Sequence, residues 1–281
     1  MTRLRVIEFV APSLGVLAHG LGLFEAAGIE VEAVRTRSSS EQRAGLMDGT
    51  YDLGLTAIDN LIAWDADGDD LVVVAQVERT TVLDLCAAPD VGEIAELRGR
   101  TLAVDAVDTG FAILLRHVLA THGLAPGDYE LLPAGGIQQR MEAVVEGRAA
   151  AGLLGPPFNG IALGRGCRVL ARAHEEVPRL PGIGAVIRTS ATPATMGAAQ
   201  AYVRALAHAA AWATDEREEE AVRMLEAAGF DREGAVQLFG IRARTVAPAD
   251  DGIALLYEMR RDLGMLPAGA PPAEALVSPM A

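Results

Sequence analysis

Leu46-Met47-Asp48-Gly49-Thr50-Tyr51-Asp52-Leu53-Gly54-Leu55 holds the key to the fold. It reads as the end of a helix, an acidic residue, a capping glycine and the start of a buried strand. Val144-Val145-Glu146-Gly147-Arg148-Ala149-Ala150-Ala151-Gly152-Leu153 repeats that order at a constant offset, Gly49 matching Gly147 and Gly54 matching Gly152. One copy is an ordinary helix-to-strand turn. Two copies in register predict two lobes of similar topology.

On either side of these stretches, short β-like runs alternate with helical ones, a pattern that predicts parallel strands. In the first half, strands are expected at 4–10, 29–35, 52–56 and 71–77. Helices are expected at 14–27 (ended by Gly28), 40–47 and 59–67. A similar order recurs, with strands at 101–105, 129–133, 149–154 and 168–171. The helices between them fall at 110–122, 137–146 and 157–163.

A strand at 184–188 is followed by helices only. Thr192-Pro193 is an N-cap with proline at the first helical position, opening an Ala-rich helix through Trp212. Asp215-Glu216-Arg217-Glu218 matches a capping box, and Asp231 caps a third helix. A fourth covers 248–263, and the Pro/Ala-rich tail from Pro267 is expected to be loosely attached. Lobe one is therefore residues 1–84 plus 185–281, and lobe two is residues 89–183. The crossovers fall near 83–88 and 171–184.

Composition fits this plan. Of 281 residues, 51% are hydrophobic and only 4% aromatic, which suits small-residue helices packed closely on a sheet. Acidic residues outnumber basic ones, 38 to 24, for a net charge of −14. That balance argues against nucleic acid as a partner, since phosphate contacts need clustered Lys and Arg. It argues equally against an anionic membrane surface. Cys86 and Cys167 form no CxxC and no cluster with histidine, so two buried reduced thiols are expected and no metal. No apolar run spans a bilayer, so no transmembrane segment is expected. The first strand begins almost at Met1, with no basic segment and apolar stretch before it. The chain as given is expected to be cytoplasmic, or periplasmic or extracellular if a leader was trimmed.

Four stretches carry a family resemblance: Gly22-Leu23-Phe24-Glu25-Ala26-Ala27-Gly28-Ile29-Glu30-Val31, then 46–54, then Leu97-Arg98-Gly99-Arg100-Thr101-Leu102-Ala103-Val104, then Leu153-Leu154-Gly155-Pro156-Pro157-Phe158. Together they resemble the substrate-binding proteins of nitrate, sulfonate and taurine importers and their relatives that handle thiamine-pyrimidine precursors. The resemblance implies an α/β, two-lobed, type II periplasmic-binding-protein-like fold with an interlobe ligand cleft that closes by a hinge. The Cys-rich motif of the eukaryotic thiamine-pyrimidine synthases is absent. If the protein is secreted, an ABC permease is the implied partner.

In a doubly wound sheet, ligands bind where loops and helix N-termini converge at the carboxyl ends of strands. Five loops qualify. The first three supply Ser13 and Leu14, then Arg37, Ser38 and Ser39, then Thr56 and Asn60. In the second half, Asp108, Thr109, Gly110 and Phe111 hold the matching place, and so do Pro156 and Phe158. Asp108-Thr109-Gly110 stands out, because Gly110 lets backbone approach a ligand and Thr109 offers a hydroxyl. It reads equally as a simple N-cap. The serines read as oxyanion donors or as a polar turn, and Arg37 as a carboxylate or sulfonate partner or a surface arginine.

No HExxH, GxSxG, Walker loop or GxGxxG is present. His19, Asp59 and Asp108 are the candidates for catalysis if the chain is an enzyme, and Asp105 with Asp108 could form an acidic pair. Two functions follow. One is binding of a small anionic or zwitterionic organic compound. The other is a cofactor-independent lyase, such as a decarboxylase, desulfinase or dehydratase, on the same scaffold.

Overall fold

The computed structural model describes residues 1–278 and Met280. The described residues form ten strands: β1 (Thr2–Glu8), β2 (Ile29–Arg35), β3 (Leu53–Ala57), β4 (Leu71–Gln76), β5 (Asp84–Ala87), β6 (Thr101–Val104), β7 (Glu130–Pro133), β8 (Ala151–Leu154), β9 (Arg168–Arg172) and β10 (Ile183–Arg188). They form two five-stranded sheets, ordered β2-β1-β3-β10-β4 and β7-β6-β8-β5-β9. β1, β2 and β3 are parallel, while β10 runs antiparallel between β3 and β4. The second sheet has the same plan, with β5 antiparallel between β8 and β9.

Helices α1 (Ser13–Gly20), α2 (Leu23–Ala26), α3 (Ser39–Met47) and α4 (Asn60–Ala66) belong to the first half. Then come α5 (Gly110–Thr121), α6 (Ile137–Val145), α7 (Phe158–Gly164) and α8 (Ala173–Glu176). The C-terminal set is α9 (Pro193–Trp212), α10 (Glu218–Ala227), α11 (Arg232–Ile241) and α12 (Asp250–Asp262).

Local sequence explains many of these boundaries. Gly49 and Gly147, the repeat glycines, take φ of +80° and +74°, which a β-carbon would strain. The Thr192 hydroxyl accepts from Thr195 N, and Pro193 opens the helix. The buried face of α9 is mostly alanine, so it approaches α1 and β1 closely, and Tyr202 stacks on Phe24 at 5.1 Å. Asp231 caps α11 through Gly234 N at 2.7 Å.

Four expectations are corrected. The helix expected over 14–27 is two, because Gly22 adopts φ +67° between α1 and α2. Residues 84–87 are not a linker but β5, held by pairing on both edges; the first crossover is the segment before it. Asp215 does not cap α10. Its carboxylate accepts from Arg242 and Arg244, each at 2.9 Å, and a single 3-10 turn precedes the helix. The tail is docked: Leu276 is fully buried, Val277 bridges Val73 in parallel, and Val73 N donates to Leu276 O at 2.8 Å.

One apolar core lies between the first sheet and α1, α9, α10 and α11. A second runs on from Ile58, Leu61 and Ile62 to Leu102, Leu114 and Leu115, and takes in Ile253, Leu256 and Met259 of α12. The two sheets are thus joined by shared apolar packing.

Candidate functional site

The carboxyl ends of β1, β3, β6 and β8 face a common space, and two cavities open there. The main cavity has a volume of about 100 Å³. That is of the order of the roughly 150 Å³ engineered cavity that accepts benzene. Its walls are largely apolar, with Phe9, Leu55 and Leu238 toward the first sheet and Phe111, Ile137 and Pro156 toward the second. The polar lining is Thr56, Asn60, Glu78, Thr81, Asp105 and Arg140.

Arg140 projects from α6 and is 4% exposed. Its Nη1 donates to Leu153 O at 2.8 Å, and its Nε has no partner among the described residues. Burial draws the guanidinium's pKa down, and the nearby Asp105 carboxylate opposes that. Asp105 accepts the Thr109 hydroxyl at 2.6 Å. Glu78 lies just past β4 and is 7% exposed. Burial pushes its carboxyl up to about 7, and only the Ile183 N–H holds it back.

Asn60 ties the two halves together. Its Nδ2 donates to Thr56 Oγ1 at 2.9 Å, and its Oδ1 accepts from Gly110 N at 2.9 Å. Nearby, Arg260 of α12 donates from Nε to both Asp59 carboxylate oxygens, at 2.9 and 3.0 Å, and from Nη2 to Asp108 O at 3.2 Å. Asp59 and Arg260 are 4% and 1% exposed.

The expected site residues divide. Thr56, Asn60, Phe111 and Pro156 line the main cavity. Ser39, Asp108 and Thr109 line, with Asn60, a second cavity of about 420 Å³ between α3, α4 and the loop after β6. Ser13, Leu14, Arg37, Ser38, Gly110 and Phe158 line neither. Ser13 and Leu14 are buried in the first turn of α1, Ser38 caps α3 through Glu41 N, and Arg37 is exposed. The polar groups of Thr109 and Gly110 are already engaged within the protein. The Thr109 hydroxyl serves Asp105 and the cap of α5, and the Gly110 N–H is taken by Asn60.

The candidates for catalysis fare similarly. His19 is exposed at the far end of α1, Asp59 is locked to Arg260, and exposed Asp108 faces the second cavity while Asp105 faces the first. The cysteines are buried free thiols, and burial pushes Cys86 up to about 12. Among the described residues no His/Cys/Asp/Glu group could hold a metal, and no helix is long and apolar enough to cross a membrane. Sequence reasoning missed Glu78 and Arg140. The available signals were an acid closing the apolar run 71–77, and an arginine three residues after Ile137 on the buried face of α6.

Gly110 sits where the halves touch. A β-carbon there would lie 2.8 Å from Asp59 Cβ. Gly110→Val is expected to wedge the loop after β6 away from α4, break the Asn60 contact and cost about 1–3 kcal/mol. Small-angle scattering should show a larger radius of gyration; an unchanged radius and unchanged stability would contradict this close approach.

Two α/β lobes meeting over a cavity at their facing strand ends define the two-lobed type II periplasmic-binding-protein fold. Residues 14–220 match the family described as NMT1/THI5 like, and the chain belongs to that family. No curated protein sequence matches it. Among solved structures, the alkanesulfonate-binding protein SsuA from Xanthomonas axonopodis pv. citri, bound to MOPS, is similar at TM-score 0.81 and 20% identity, covering 98% of each chain. The aliphatic sulphonate binding protein SsuA from Escherichia coli gives 0.72 and 21%, covering 96% of this chain and 95% of that one. The nitrate-binding protein NrtA from Synechocystis PCC 6803 gives 0.77 and 16%, covering 95% and 83%. At these identities the likeness is one of fold.

Proposed function

We propose that the protein binds one small organic molecule in the cavity between its lobes, as a solute-binding protein does. The observation that carries this is the main cavity itself, an apolar pocket at facing strand ends with three ionisable side chains, Glu78, Asp105 and Arg140, in its wall. Apolar walls exclude water, and the few polar groups fix orientation. Carboxyls and a guanidinium in one pocket suit a zwitterionic compound better than a bare anion, because Asp105 already offsets Arg140. The lobes would divide close to the expected bounds, one holding the second sheet from Asp84 to Arg172 and the other the first sheet with β10 and the C-terminal helices. In an exported form, an ABC permease is the partner that would receive the ligand.

Phe111→Trp should overfill the main cavity and Ser40→Trp the second one. A calorimetric screen of small amino acids, carboxylates, sulfonates and amines tests the reading. Binding that falls at least about tenfold in Phe111→Trp, and persists in Ser40→Trp, is the expected result. The reverse pattern would place the ligand in the second cavity, and no binding by the wild type would end the proposal.

A further inference from the structure

Of the ionisable groups in the main cavity, Glu78 is buried and forms no ion pair among the described residues. Arg140 and Asp105 offset each other from α6 and the loop after β6. Burial raises the pKa of the Glu78 carboxyl and the Ile183 backbone opposes that; among the described residues no nearby cation does. The flanking groups are otherwise engaged. The Gln76 amide donates to the Glu78 carbonyl, not to its carboxyl. Arg242 meets Glu78 in an isolated antiparallel bridge. Its guanidinium, however, is spent on Ala213 O, Phe239 O and Asp215. Arg79, the next residue, is exposed. Arg140 reaches the cavity from α6, beside the second sheet, and Glu78 from just past the end of β4, in the first, so the cavity has two poles.

A buried carboxylate without a counter-charge is costly, and a ligand that brings the missing charge removes that cost on binding. We propose that the ligand carries a basic nitrogen, and that this nitrogen docks as a cation on the Glu78 carboxylate at the crossover between the lobes. The inference rests on the reading of the main cavity as the binding site and adds the ligand's chemical class: a small amine or amino compound, with any acidic or polar end directed to Arg140. Simple anions lack the group that Glu78 requires.

The test is a thermal-shift and calorimetric screen at pH 8 of the full chain and of Glu78→Gln. The library holds amines, amino acids, carboxylates, sulfonates and alcohols of up to about six heavy atoms, sized to the cavity. The expected result is that compounds bearing a basic nitrogen lead the wild-type hits and lose about tenfold or more in Glu78→Gln, as for a charge-assisted hydrogen bond. Their deaminated counterparts should bind weakly to both proteins. Tightest binding by carboxylates or sulfonates, equal in the two proteins and lost in Phe111→Trp, would overturn the inference and leave the cavity reading standing. A library in which nothing binds either protein would overturn both.

Discussion

Arg260→Met is expected to destabilise the protein by about 3–5 kcal/mol, the cost of leaving a buried charge unpaired. Arg260 and Asp59 are both buried, and the guanidinium also reaches Asp59 O, Asp108 O and Met265 O. The double variant Asp59→Asn with Arg260→Met should recover a large part of the loss, because it removes the stranded carboxylate. Urea denaturation of the two variants and the wild type measures this directly. A loss below about 1 kcal/mol in Arg260→Met would show the pair to behave as a surface one. The pair also carries a contact between the halves, so Arg260→Met should loosen the loop after β6 more than Asp59→Asn does.

Glu78→Gln is expected to stabilise the protein at high pH and to do little in acid. The folded-state carboxyl titrates at about 7, raised by burial from the ordinary 4.5. Below 4.5 the group is protonated in both folded and unfolded chains and contributes no difference. Between these values the unfolded chain gives up the proton first, so stability falls as pH rises. Above 7 the full penalty is in place, on the order of 3 kcal/mol for a shift of this size. The difference in unfolding free energy between Glu78→Gln and wild type should therefore grow from near zero at pH 4 to about that figure at pH 8. A difference that stays flat across this range would mean that Glu78 ionises freely in the folded protein. The penalty also bears on the site. A group that lowers stability when ionised gains most from a bound cation.

Elements whose signals are local were legible in the sequence. Gly49 and Gly147 mark matching turns because a left-handed backbone needs them, and Thr192-Pro193 marks the start of α9 because cap and proline act within one turn. β5 was not legible. Four residues with an aspartate and a cysteine carry no alternation, and they form a strand only because β8 and β9 pair with both edges. The docked tail was hidden by its prolines and alanines, since Leu276 and Val277 are two apolar residues in a polar-looking stretch.

The lining of the candidate cavity was legible in part, for a similar reason. Placing the site at strand ends located Thr56, Asn60, Phe111 and Pro156 at the cavity. It does not say which way a loop turns, so the hydrogen bonds from the Thr109 hydroxyl to Asp105 and from the Gly110 N–H to Asn60 were not foreseen. Glu78 and Arg140 escaped because one lies in a crossover and the other inside a helix. Their importance comes from burial, which the sequence states only indirectly.

The position of β10 between β3 and β4 has a consequence for the order in which the molecule is assembled. During synthesis the chain emerges from its N-terminus. Once residue 172 is out, all five strands of the second sheet are available and contiguous. The first sheet at that moment has an open seam, because the strand that fills it spans Ile183–Arg188. The half whose strands are contiguous in sequence is thus the first that can close on itself. The half whose sheet needs β10 must wait, with two unpaired strand edges exposed, for a segment translated after its neighbour is complete.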